Sequence, residues 1–162
     1  MIKLINLVRK DKSIEFLRNC QEKDFSPMEV RFHNVHLLDI NRTLGRNIFC
    51  KDDLFANTGT LYDAMQPVGS KNHHNTHGLT PEEIYSSLKS LSKSKEIYPT
   101  HDFRYIVVSD VVASCGYQIV AVIEIGSALS NNMDANINKL ATIYPKDLER
   151  LRKKDKNKRA TR

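Results

Sequence analysis

At 162 residues and 40% hydrophobic content, the chain is long enough to bury one core and too apolar to sit among disordered chains. No apolar run approaches the ~20 residues of a membrane helix, and the opening MIKLINLVRKDKSIEFL is broken by Asn6, Arg9 and Lys10 with no small-residue cleavage site behind it. The net charge of +6 is concentrated at one end: residues 147–162 hold 8 Lys/Arg against 3 Asp/Glu, and the rest of the chain 17 against 16.

Residues 2–20 read as one or two short amphipathic helices, with Leu4, Leu7 and Val8 on one face and Ile14 and Leu17 continuing the pattern. Phe25-Ser26-Pro27 breaks it, and Met28, Val30 and Phe32 then alternate with polar residues as in a short strand. Residues 35–44 are predicted to form a helix ended by Gly45, and residues 47–50 another short strand. Residues 53–66 stay ambiguous: Leu54, Leu61 and Met65 suit a helix, but Asn57-Thr58-Gly59 interrupts it. Residues 67–76 (PVGSKNHHNT) form a polar loop, long enough to point to function or mobility.

The next signal is local and strong. Thr80-Pro81-Glu82-Glu83 combines a cap residue, proline at the first helical position and Glu three residues after the cap. A helix over 81–91 follows, with Ile84, Leu88 and Leu91 on one face. The period then becomes strand-like over 96–99, 103–112, 118–125 and 135–144, with a turn around Gly116. Pro145 opens a last helix over 146–154. The expected fold is α+β: N-terminal helices, then a helix and a small antiparallel sheet, then a C-terminal helix and a basic tail. Residues 1–154 make one domain and 155–162 a flexible tail.

The basic end reads either as an arm that attracts phosphate backbones or as a solvated terminus, and its charge favours both equally. Cys20, Cys50 and Cys115 have no metal or disulfide spacing and read as small hydrophobes. Of the three histidines His73, His74 and His77, the first two read as solvated loop residues. His77 sits just ahead of the capped helix, where its backbone is held, and one such histidine is enough for acid–base work near neutral pH. No metal site and no cofactor are expected, since the sequence has no metalloprotease, Walker or dinucleotide pattern.

Strand alternation places Asn138, Leu140, Thr142 and Tyr144 on one face and Lys139, Ala141 and Ile143 on the other. With Arg104, Tyr105 and Ser109 on an earlier strand, the sheet offers cations and hydroxyls. His101 and Asp102 precede that strand in a turn that they can hold by pairing. A histidine, a cation and a hydroxyl around a small sheet are the kit of a metal-independent ribonuclease, whose nucleophile is the substrate's own 2′-hydroxyl.

The segment HGLTPEEIYSSLKSLSKSKEIYP, the strands RYIVVSDVV and GYQIVAVIEI, and ANINKLATIYPKD together resemble a phage-associated family of the barnase–EndoU–colicin–RelE nuclease superfamily. The resemblance covers about residues 77–147. It implies a helix-plus-antiparallel-sheet nuclease fold, cleavage of RNA (tRNA among the substrates of the wider superfamily) and a neutralising antitoxin or immunity protein as partner. The N-terminus, which does not read as a signal peptide, leads to the expectation of a cytoplasmic protein, or one delivered into a target cell. The catalytic set expected from residues and resemblance together is His77 as base or acid, Arg104 or Lys139 on the phosphate, and Thr142 or Tyr144 positioning or protonating it. Asn138, His101, Lys146, Arg152 and Lys153 are the expected RNA-binding residues. The alternative is a non-catalytic nucleic-acid-binding or phage-associated interaction module with the same fold.

Overall fold

The computed structural model describes residues 2–23, 26–69, 76–129 and 132–160. The chain begins with β1 (Lys3–Asn6), α1 (Lys10–Gln21), β2 (Glu29–His33), α2 (Leu37–Leu44), β3 (Leu54–Asn57) and α3 (Thr58–Met65). It continues with α4 (Pro81–Ser90), a 3₁₀ turn (Leu91–Lys93), β4 (Ile97–Pro99), β5 (Arg104–Val112), β6 (Gln118–Leu129), β7 (Asn132–Lys146) and α5 (Glu149–Ala160).

The fold is α+β, but the expectation of a small antiparallel sheet is wrong. All seven strands form one mixed sheet in the order β1-β2-β3-β7-β6-β5-β4. β1 runs parallel to β2, and β3 runs parallel to β7; the other neighbours are antiparallel. The N-terminal half therefore supplies three strands, not only helices. Leu4, Leu7 and Val8 have helical spacing, yet the chain buries Ile5 and Leu7 and leaves Leu4 and Val8 half or more exposed. Asn6 ends the strand: its side-chain Oδ1 accepts from the Val8 amide at 3.0 Å, a local turn that competes with helix.

The helix expected over 35–44 is found as α2, ended by Gly45 in the left-handed region at φ +63°. Residues 47–50, expected as a strand, are irregular. The Asn41 side chain takes the place of a strand partner there, accepting from the Ile48 and Phe49 amides and donating to the Phe49 carbonyl. The strand lies later, in β3. The Asn57-Thr58-Gly59 interruption is the helix start itself, since Asn57 caps α3 by accepting from the Gly59 amide at 2.7 Å.

α4 starts with the full capping box: Thr80 Oγ1 accepts from the Glu83 amide and Glu83 Oε1 from the Thr80 amide. Thr80→Ala should cost about 1 kcal/mol, read as a lower urea midpoint with an unchanged slope. The last helix is longer than expected, running to Ala160 and not to residue 154. Among the described residues, no helix is long and apolar enough to cross a membrane.

The main core lies between one sheet face and helices α1–α4, with Leu17, Ile40, Leu61, Ile84, Leu88, Ile123, Leu140 and Ile143 buried. A smaller cluster on the opposite face joins Tyr98, Ile106, Val108, Val120 and Val122 to Leu148, with Leu151 of α5 packed against it. A bulge in β7 decides which side chains go where. Val122 faces Thr142 but Ile123 faces Leu140, so one residue is skipped. Leu140 and Ile143 thereby both reach the main core, while Thr142, Tyr144 and Lys146 share the opposite face with Val122, Val120 and Gln118.

Candidate functional site

His77 stands between α3 and α4, and its backbone neighbours are pinned. The Gly78 amide donates to the Gln66 carbonyl at 2.7 Å, and the Leu79 amide to the Ala64 carbonyl at 3.0 Å. Gly78 has φ +65°, a conformation costly for any other residue. The half-buried His77 ring then lies against β7. Its Nε2 is 3.4 Å from Thr142 Oγ1, the long end of hydrogen-bond reach, and its ring centroid is 5.2 Å from that of Tyr144. Burial pushes the His77 pKa below 6.5, and the Asp63 charge opposes this. The imidazole is therefore mostly neutral at pH 7, the form a general base needs. The Lys146 ammonium lies over the other end of this row, 5.7 Å from the Tyr144 ring centroid.

Thus His77, Thr142, Tyr144 and Lys146 come together. Arg104 and Lys139 do not join them. Arg104 makes a cross-strand ion pair with Glu124 at 3.0 Å, and Lys139 Nζ is 3.6 Å from Glu29 Oε1. Asn138, expected beside Thr142 and Tyr144, is on the opposite side of the bulge and only 2% exposed. Its Nδ2 donates to the Lys51 carbonyl at 2.7 Å and the Asp53 carbonyl at 3.1 Å, clasping the approach to β3 onto β7. His101 is exposed in the β4–β5 turn, where its Nδ1 meets Thr100 Oγ1, not Asp102. His73 and His74 lie outside the described residues.

Lys146 also lines a cleft of about 410 Å³ between the β5–β6 turn and the start of α5. Arg152 and Lys153 line it too, so three of the five expected RNA-binding residues meet there. Tyr117 and Lys156 line it as well, and neither is among the site residues expected from sequence. A hint existed: Tyr117 follows the turn glycine, where side chains tend to be exposed.

Arg152 is the anchor of α5. It donates to both Glu96 carboxylate oxygens, at 2.7 and 2.9 Å, and to Gln118 Oε1 at 3.1 Å. Tyr98 donates to the same carboxylate. The Arg152 hydrogen bonds hold Glu96 below the usual carboxylate range, with a smaller contribution from Tyr98. Burial, then the Glu96 bond, push Tyr98 up to about 12. A carboxylate with a depressed folded pKa contributes stability above its ordinary value of 4.5, and that stability is lost as pH falls through the folded value. Arg152→Ala should therefore destabilise at pH 7 by about 1 kcal/mol or less, given the exposure of the pair. The gap to wild type should shrink in melts taken below pH 4.5.

No protein-family model, curated protein or solved structure matches the chain. Its functional reading therefore rests on these side chains. Among the described residues, no group of three or more His, Cys, Asp or Glu is arranged to hold a metal ion. Cys20 is buried, its thiol pushed up to about 12 by burial, and Cys50 and Cys115 are exposed and free.

Proposed function

We propose that this protein binds RNA along the β7–α5 edge and cleaves it without a metal, by attack of a ribose 2′-hydroxyl on the adjacent phosphate. The observation that carries the reading is the row Thr142–Tyr144–Lys146 on one face of β7 with the His77 ring lying against it. In this reading neutral His77 Nε2 takes the 2′-hydroxyl proton, and Thr142 Oγ1 orients the imidazole or the phosphate. Lys146 stabilises charge on the five-coordinate phosphorus, a role that the ion-paired Arg104 and Lys139 are less free to play. Tyr144 returns a proton to the departing 5′ oxygen. The resemblance of residues 77–147 to phage-associated nucleases points the same way and adds a neutralising partner protein and a cytoplasmic target.

A second reading is RNA binding without cleavage. It is favoured by the ion pairs that occupy Arg104 and Lys139, which leave Lys146, against the Tyr144 ring, as the cation of the row. Incubating purified protein with single-stranded RNA separates the two: cleavage supports the first, and salt-sensitive binding of intact RNA the second.

A further inference from the structure

We propose that the cleft between the β5–β6 turn and α5 is a subsite for a second nucleotide of single-stranded RNA, its base stacked on Tyr117 and its phosphate held by Lys153 and Lys156. The inference rests on the RNA reading above and adds where the strand runs beyond His77.

The cleft volume of about 410 Å³ falls in the range of small-ligand sites, roughly 300–1,000 Å³. Four cations face two carboxylates in its lining. Neither carboxylate closes the site to an anion. Asp147 Oδ1 is engaged at the entry to α5, accepting from the Glu149 amide at 3.0 Å. Glu149 pairs with Lys153 at 3.1 Å, but both side chains are at least 70% exposed, a pairing that water and phosphate contest readily. Arg152 is committed to Glu96. Among the described residues Lys156 has no carboxylate partner, and Lys153 only this exposed one.

Tyr117 is 49% exposed, large and apolar on its face. The turn that presents it is fixed: the Ala113 amide donates to the Tyr117 carbonyl at 2.8 Å, and the Ser114 amide to Glu83 Oε2 of the capping box. An exposed ring on a held turn, beside one unpaired and one weakly paired ammonium group, is the arrangement that binds single strands, because every unpaired base offers a face to stack. A duplex base does not. Lys146 belongs to both this cleft and the His77 row, so one strand can occupy the two together.

The test uses the full chain carrying His77→Ala, so that binding is read without cleavage, with fluorescein-labelled hexauridylate as probe. Tyr117→Ala should weaken hexauridylate binding about tenfold, a single stacked base's worth, and weaken an RNA duplex of equal length less than twofold. Lys153→Glu with Lys156→Glu should weaken hexauridylate at least tenfold at low salt. That pair should also flatten the slope of log affinity against log salt by about 0.7, the share of the one single-strand phosphate that the two lysines hold. Wild-type affinity in either variant, or equal loss on duplex and single strand for Tyr117→Ala, overturns the subsite. If the wild-type protein cleaves RNA while these variants bind normally, the subsite fails and the cleavage proposal stands. If the variants lose binding while the wild-type protein never cleaves, the reverse holds. A parent that binds no RNA ends both.

Discussion

His77→Ala is expected to lower kcat/KM for RNA cleavage by about 10²–10⁴-fold, the usual worth of a positioned proton-transfer group. The fold should survive. The ring is half-buried and its hydrogen bond to Thr142 is long, while the backbone around it is held by Gly78 and Leu79 and not by the side chain. Thermal melts of the variant should stay within a few degrees of wild type. The pH profile separates a base from a merely structural histidine. A base must be neutral, and burial holds the His77 pKa below 6.5. The acidic limb of kcat/KM should therefore fall below pH 6.5, with activity retained through neutrality. Lys146→Ala should lose activity as well, but keep the same acidic limb. Loss of activity in His77→Ala together with collapse of the melt would reassign His77 to the fold.

The second large effect is on stability, at Asn138. Its amide serves two carbonyls of the segment leading into β3, and β3 is the strand that joins the two halves of the sheet. Asn138→Ala removes both bonds from a buried side chain, each worth about 0.5–1.5 kcal/mol. We expect a loss of about 2 kcal/mol, or roughly 4–8 °C in Tm for a chain of this size. Asn138→Asp should be worse, and increasingly so as pH rises, because a carboxylate then faces two carbonyl oxygens. Were Asn138 an RNA contact, Asn138→Ala would weaken binding and leave Tm unchanged.

These two residues also show what can be read from a sequence and what cannot. The capping box at Thr80–Glu83 is legible because cap, proline and Glu act within one turn, and it correctly sets His77 just outside a helix. The last strand is legible as a strand, but strict alternation puts Asn138 with Thr142 and Tyr144. The bulge that moves it is imposed by packing: Leu140 and Ile143 must both reach the helices. β1 and β3 are four residues each, too short to show a period, and their partners lie far along the chain. The same non-local pairing turns an expected small antiparallel sheet into a seven-stranded mixed one. Charge behaves similarly. Lys146, Arg152 and Lys153 are visible as cations, but the Glu96 clasp that removes Arg152 from service and the exposed Tyr117 beside the others are products of the fold. Arg104 and Lys139 are visible as cations, but Glu124 opposite Arg104 on the adjacent strand, and Glu29 reaching Lys139 from β2 beyond β3, appear only once strand order and register are known.

The most direct test of the central claim is the fate of single-stranded RNA incubated with purified wild-type protein in excess chelator, with product ends identified by mass spectrometry. The account predicts fragments ending in 2′,3′-cyclic phosphate, formed at the same rate with or without added divalent ion. Intact RNA, fragments that appear only when a divalent ion is restored, or 3′-hydroxyl ends would contradict it.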